Sequence, residues 1–555
     1  MKVPEAARVA VPGGLLLALA TPPAVLPLAG FLVVPGLMVW FAVATAARRP
    51  YLESYVLGCV HMAWFSWSLR HILVPAYAGV VLVGGLYFVL GTVLVRATAQ
   101  RWAPLGFAVA VAGSFWLRAN MPEIHYPHGQ PCHCLWQWPA LLGAVTLGGE
   151  PLANGLIAAL AAALVGVVRS WRLALPSWSS ARLVLLIAAV AAVVATVAGH
   201  VVHWTAAASR ASGGQSIVPA PVVRIAAIEP GLHPQDPYLG LSKTEGPARY
   251  LELCRERLIR PTQEALRASP PPDLVLWPET SVAKSFDVAD IMAGRVRYPL
   301  GPFPPVATRI LFGTTVANWH TAAAVLETLP EGRVVGHQEK RCLVPGGEFL
   351  PLFGCLPDWL ATAARDAFAA ALGTAPDSEP GVLRAPLQTS AGVPFGTLIC
   401  YDNAFPGPAS DQVAAGARFL CVLSNEAWYR GGGELTQLVA MTVCRALETA
   451  TPIVRCTTDG WSVVVGADGR IEAELPLEPA PHAAARILRA DVTPASGRLP
   501  PLAWLRAVAG PFAVVWLCLG LAHAAFRWVR LRGARTASIA VRGTGVAGPA
   551  RGSGS

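Results

Sequence analysis

Apolar residues run in long blocks through the first part of the chain, and after residue 210 give way to short apolar runs alternating with polar ones. The blocks Val11–Leu26, Ala29–Ala46, Leu52–Leu69, Leu73–Val95, Pro104–Leu117, Asn154–Val168 and Leu183–Val202 predict about seven membrane spans, and Leu502–Phe526 an eighth. Several are short or contain proline and glycine, which spanning helices tolerate when neighbouring helices satisfy the freed backbone groups. Lys2 and Arg8 precede the first block as in a cleaved leader, but further blocks follow at once, so a retained helix is expected.

Gly213, Gly214, Pro219 and Pro221 mark residues 211–221 as a linker. Beyond it, Val222–Ile228, Leu274–Trp277, Ile310–Thr314 and Val393–Ile399 read as strands, and Gly246–Ala268 as a helix. Ala323–Leu329 and Val334–His337 flank Pro330-Glu331-Gly332-Arg333 as a hairpin, and Asp468-Gly469 turns a second one after Trp461–Val465. Leu435, Leu438, Val439, Val443, Ala446, Leu447 and Ala450 form a helical stripe in Glu434–Ala450. This alternation predicts an α/β domain of roughly 290 residues, ample for one core.

Composition agrees with a membrane protein: 54% of the 555 residues are hydrophobic, 14% are charged, and mean hydropathy is +0.48. The net charge of +10 is spread among hydrophobic segments, which argues against nucleic acid as a partner. Arginines orient the chain instead. With the N-terminus inside, the inner connections hold Arg48 and Arg49, Arg96 and Arg101, Arg169, Arg172 and Arg182, and finally Arg527, Arg530, Arg532 and Arg535. The outer connections hold chiefly Arg70 and Arg118, so the α/β domain is expected outside the cytoplasm.

One outer loop gathers His125, His128, Cys132, His133 and Cys134. Its C-x-C spacing is not a standard structural zinc pattern, which favours a disulfide or plain interfacial loop over a metal site. Trp136 and Trp138 beside it read as interface anchors. Eleven cysteines without small-domain spacing define no disulfide framework.

Candidate chemistry lies at three strand ends. Cys400 follows the apolar run Val393–Ile399, Glu279 follows Leu274–Trp277, and Lys340 follows a hairpin strand. A thiol of ordinary pKa needs a base to take its proton or a cation to favour the thiolate, roles open to Glu279 and Lys340. Lys340 and the backbone N–H of Tyr401 are candidate oxyanion donors, and Glu348 can orient the lysine. Taken singly, each residue reads as a buried thiol or a solvated loop charge; their joint placement argues otherwise.

The segments WPET, EK…LVPGGEFLP, ICYDNAFP, SNEAWY and CRALETATPIVRCTTDG resemble the carbon-nitrogen hydrolase (nitrilase) superfamily, and within it most closely the apolipoprotein N-acyltransferases. The resemblance extends over nearly the whole chain, including GLYFVLG in the membrane part. It implies an α-helical membrane domain of about eight spans plus an extracytoplasmic α/β domain folded as a nitrilase-like αββα sandwich. The implied divisions are a membrane domain, 1–210, a catalytic domain, 211–500, a last span, 501–530, and a basic flexible cytoplasmic tail, 531–555. The family's triad falls on Glu279, Lys340 and Cys400, its further glutamate on Glu348, its tyrosine on Tyr401, and its Asn and Trp on Asn425 and Trp428. Asp402 stands where the family usually has glutamate, and Gly346 where it usually has an aromatic residue.

The resemblance further implies acyl transfer from a phospholipid, through a Cys400 thioester, to the α-amine of a diacylated apolipoprotein at the bacterial inner membrane, on the periplasmic side. It implies no metal or other cofactor. A membrane-tethered amidase with water as acceptor is the nearest alternative. A transporter with an inactive domain fits less well, because the spans carry few ionisable residues at mid-depth.

Overall fold

The computed structural model describes residues 7–22, 26–173, 178–211, 222–232, 246–282, 284–298, 300–316, 320–327, 332–372, 378–477 and 484–543. Lys2, most of the expected linker, and Pro330 and Glu331 of the first hairpin lie outside them.

Each apolar block of the first part is largely helical: α1 (Ala7–Ala20), α2 (Val33–Ala46, led in by a 3-10 turn at Pro27–Leu32), α3 (Pro50–Phe65), α4 (Val74–Ala97), α5 (Ala103–Asn120), α6 (Gly143–Leu173) and α7 (Trp178–Ala211). Among the described residues, five segments are long and apolar enough to cross a membrane: Pro27–Ala46, Val74–Ala97, Gly143–Ser170, Leu183–Thr205 and Trp504–Phe526. With 14 and 16 residues, α1 and α3 fall short of the roughly 20 that a bilayer requires. Gly149, at φ +67, breaks α6 just before Pro151, so its first turns take a different direction from its span. Leu186, Ile187, Val190, Val193, Val194 and Val197 of α7 are exposed, an apolar surface that suits lipid rather than water.

The α/β part comprises β1 (Val223–Glu229), α8 (Gly246–Leu266), β2 (Leu274–Leu276), β3 (Ser285–Phe286), α9 (Val288–Met292), β4 (Arg309–Val316), β5 (His320–Glu327), β6 (Val334–Glu339), α10 (Asp358–Leu372), β7 (Leu387–Gln388), β8 (Pro394–Ile399), α11 (Pro406–Ala414), β9 (Leu420–Ser424), α12 (Glu434–Thr449), β10 (Ile453–Thr457), β11 (Val463–Val465), β12 (Ile471–Glu474) and β13 (Arg486–Val492). The closing helix α13 (Trp504–Gly543) continues past residue 530, so the first part of the expected flexible tail is helical.

Two sheets form, in the orders β13-β1-β2-β4-β5-β6, with β3 on β4, and β12-β11-β10-β9-β8-β7. Alternation along the strands sorts side chains between two faces. Ile225 and Ala227 of β1 and Phe395 and Ile399 of β8 meet in the core between the sheets. Ala226 and Ile228 turn outward to Leu258 and Ala265 of α8, while Leu398 turns outward to Val413 of α11 and to α12. The result is an α–β–β–α sandwich, as expected.

All sixteen residues of α12 are buried, because the helix has two partners. Its apolar stripe faces the second sheet, and much of its polar remainder faces the membrane helices. Gln437 donates to the Phe65 carbonyl of α3 (2.8 Å), and the Leu447 carbonyl accepts from Thr146 of α6 (3.2 Å). Arg445 donates to Glu150 of α6 (2.7 Å) and to Glu448 (3.0 Å). Trp136 belongs to this joint: it is buried edge-on against Trp461 at 5.8 Å, which corrects its reading as a lipid-interface anchor. Trp138 is partly exposed and donates to the Pro27 carbonyl (3.3 Å).

Arg445→Met removes the cation from two buried carboxylates while keeping much of the bulk. The expected loss is about 3–5 kcal/mol, the usual penalty for an orphaned buried charge. It should appear as a clearly lower thermal midpoint in detergent; an unchanged midpoint would show that the joint does not need the pair.

Candidate active site

Three strand ends converge. The parallel strands β2 and β8 deliver Glu279 and Cys400 from different sheets, and Lys340 immediately follows β6. Lys340 is buried, and its Nζ donates to Glu279 Oε1 (3.1 Å) and Glu348 Oε1 (2.8 Å). The outer oxygens of both carboxylates are also occupied: Glu279 Oε2 accepts the Asn425 N–H (2.9 Å), and Glu348 Oε2 accepts the Val344 N–H (2.8 Å). Burial works against the ammonium, but Glu279 and Glu348 outweigh it and hold Lys340 well above its usual range.

Cys400 opens a 3-10 turn, Cys400–Ala404, and its φ of +50 lies in the left-handed region that side chains avoid. Thr280, beside Glu279, is similarly strained at φ +57. Burial, and then the charge of Glu279, push the Cys400 thiol up to about 12 against the opposing pull of Lys340, while Ser424 hydrogen-bonds its sulfur. Cys400 therefore rests as a thiol. Losing its proton to solvent would add a negative charge to a site that already holds two carboxylates and one ammonium. Passing the proton to Glu279 keeps the net charge constant, which makes Glu279 the group suited to activate it.

Asp402 faces backbone donors. It is buried, with Oδ1 accepting the Arg341 and Cys342 N–H groups (3.0 and 2.7 Å) and Oδ2 accepting the Ile399 N–H (3.0 Å). Its carboxylate ties the segment after Lys340 to the turn that carries Cys400. Burial raises it to about 6, with the backbone donors opposing, so it is mostly ionised at neutral pH. Gly346 sits at φ +75, a conformation costly for the aromatic residue usual in the resembled family.

Tyr401 is buried, stacks near His125 with centroids 5.7 Å apart, and donates to the His125 carbonyl (3.2 Å). His125 in turn contacts the Leu343 carbonyl through Nε2 (3.0 Å). The His125 loop of the membrane part therefore packs against the turn that begins at Cys400. Asn425 donates its side-chain amide to Thr280 Oγ1 (3.2 Å), in addition to its backbone bond to Glu279. Trp428 lies partly exposed in the turn after β9. A cavity of about 430 Å³ opens between Met121 and Pro122 at the end of α5 and Arg341, Leu343, Phe349 and Phe405 of the domain.

Two contributors escaped sequence reasoning. Ser424, at the end of β9, opens the SNEAWY segment, but attention there went to Asn425 and Trp428. Gly313 had a signal, a glycine inside a strand. A Cβ there would lie 2.5 Å from both Glu279 Cα and Pro278 O, so β4 can approach the Glu279 backbone only without a side chain.

A family model described as carbon-nitrogen hydrolase matches residues 330–496, which include Lys340 and Cys400. The apolipoprotein N-acyltransferase of Azotobacter vinelandii is 28% identical over 454 residues, 78% of this chain and 76% of that protein. The one from Geobacter metallireducens is 30% identical over 217 residues, so the match spans only 39% of that relative's length and 38% of this chain. Among solved structures, an amidase from Nesterenkonia sp. aligns with 50% of this chain and 94% of its own, at 17% identity and a TM-score of 0.29. Apolar helices of membrane length thus accompany a carbon-nitrogen hydrolase domain along a chain that is similar, over three-quarters of its length, to an apolipoprotein N-acyltransferase.

Proposed function

We propose that this protein is an N-acyltransferase that moves a fatty acyl chain from a phospholipid to the α-amine of a diacylated lipoprotein through a thioester on Cys400. The observation that carries the reading is the joining of Glu279, Lys340 and Cys400 at strand ends, on a domain packed directly against apolar membrane helices. In the first half-reaction Glu279 takes the thiol proton as sulfur attacks the ester carbonyl. Lys340, whose third N–H remains for a substrate, and the Tyr401 N–H stabilise the oxyanion. The tetrahedral intermediate then breaks its C–O bond, and the departing lysophospholipid oxygen receives the proton from Glu279. In the second, the acceptor amine attacks the thioester, Glu279 takes an amine proton, and the C–S bond breaks to return the protonated thiol. The cavity between α5 and the Arg341–Leu343 segment suits an acyl chain arriving from the membrane side.

The same reading has α1 to α7 and α13 crossing the bacterial inner membrane as eight spans, with the catalytic domain in the periplasm. The arginine asymmetry supports this orientation. A reporter active only in the cytoplasm, fused after Ala208, should be silent; strong signal there would reverse the topology.

Protein mixed with phospholipid and no acceptor should gain the mass of one acyl chain, removable by hydroxylamine, and a diacylated lipopeptide should then take it up. Cys400→Ala should gain none. Lys340→Ala and Glu279→Gln should acylate at least about 100-fold more slowly, because one loses the oxyanion's cation and the other the proton acceptor. An adduct persisting in Cys400→Ala would overturn the nucleophile, whereas free fatty acid with unmodified lipopeptide would favour the amidase-like alternative with water as acceptor.

Asp402→Asn presents an amide to three N–H donors that now share a carboxylate. Losing a charge-assisted bond costs about 1.5–3 kcal/mol. Acylation should slow by at least about tenfold with little change in apparent phospholipid affinity. A change confined to affinity would instead put Asp402 in contact with substrate.

A further inference from the structure

The expected alternatives for the Cys132–Cys134 loop were local, but its strongest partner comes from far along the chain. Cys444 of α12 meets Cys132 and His133, and their ligand atoms lie within 4.8 Å of one another. All three residues are fully buried. Cys134, which drew attention to the loop as a C-x-C pair, points elsewhere, with its Sγ 3.9 Å from Thr21 Oγ1.

The surroundings are prepared in three respects. His133 Nε2 lies 2.9 Å from Glu150 Oε1, so the ring donates there, and its Nδ1 is buried with no hydrogen-bond partner among the described residues. A histidine held by a carboxylate at one nitrogen and free at the other is the arrangement that orients a metal-binding imidazole. The loop is braced: the Cys132 N–H donates to Asn154 Oδ1 (2.9 Å), the His133 N–H to the Gln130 carbonyl (3.0 Å), and Asn154 Nδ2 to Gln130 Oε1 (2.8 Å). Finally, the ligand charges suit a divalent cation: two thiolates and a neutral imidazole carry the two negative charges that neutralise it, which a buried ion requires.

We propose that Cys132, His133 and Cys444 bind a zinc ion, which staples the outer loop of the membrane part to α12. Zinc takes thiolates at about 2.3 Å and imidazole at about 2.0–2.1 Å, so three ligand atoms in this cluster need only small shifts to surround it. Binding forms two Zn–S bonds and one Zn–N bond and releases the two thiol protons to solvent, with no redox change. A disulfide between Cys132 and Cys444 would use the two sulfurs but would leave the braced histidine and its orphan nitrogen without a purpose. The staple also acts near the chemistry. On the same helix the Leu438 carbonyl accepts from Asn403 (3.0 Å), and Arg445 donates to the Ala404 carbonyl (3.2 Å), both in the turn that begins at Cys400.

The full-length protein, purified in detergent without chelator, should carry about one zinc per chain by plasma mass spectrometry. C132S, H133N and C444S should each retain less than about a tenth of that, while C254S, altered in the distant α8, should keep it. A chelator should lower the thermal midpoint of the wild type and leave that of C132S unmoved. Because a variant can fail to fold, the wild type is also tested alone: after zinc removal, cobalt(II) should restore the midpoint and produce a thiolate-to-cobalt absorption band. Wild-type protein with no zinc and no cobalt band, a Cys132–Cys444 disulfide in its peptide map, or zinc that persists in both C132S and H133N would overturn the proposal.

Discussion

A buried ammonium between two carboxylates governs the α/β half of this protein. Lys340 has almost no contact with solvent, and an unpaired charge there would cost several kcal/mol, so Glu279 and Glu348 must both be held within reach of it. That requirement explains much of the surrounding construction. Gly313 lets β4 approach the Glu279 backbone, Asn425 and Val344 occupy the outer carboxylate oxygens, and Asp402 clamps the segment after Lys340 to the turn carrying Cys400.

The same balance explains why the thiol rests protonated. A site with two anions and one cation resists a third anion, so activation by loss of a proton to solvent is disfavoured, while transfer to Glu279 adds no net charge. Strain at Cys400 and Thr280 belongs to the same design, because neighbouring structure must hold both residues in conformations they would not choose.

The two halves of the chain are joined by polar contacts that neither half could leave unmade. On α12, Arg445 and Gln437 reach Glu150 and Phe65 of the membrane helices, and His125 of the loop after α5 stacks near Tyr401 beside Cys400. Buried polar groups specify orientation better than apolar packing does, because each has few acceptable partners. The domain is thus held in one orientation on the apolar bundle, with the cavity between them facing the end of α5.

Local pattern alone determined the helices of the membrane part, most strands of the sandwich, and the placement of Glu279, Lys340 and Cys400 at strand ends, since hydrophobic period and turn residues are properties of neighbouring positions. The stripe on α12 was legible for the same reason, but the burial of its opposite face was not: Arg445 and Glu448 look like a solvated pair until α6 is packed against them. The clamp made by Asp402 was not legible, because two of its backbone donors, Arg341 and Cys342, lie sixty residues away in sequence. Trp136 looked like a lipid anchor, and Cys132 like half of a C-x-C pair, until Trp461 and Cys444 arrived beside them. What a side chain can do is written in its type, but which groups share its low-dielectric surroundings depends on contacts between distant segments, and only the tertiary structure decided those.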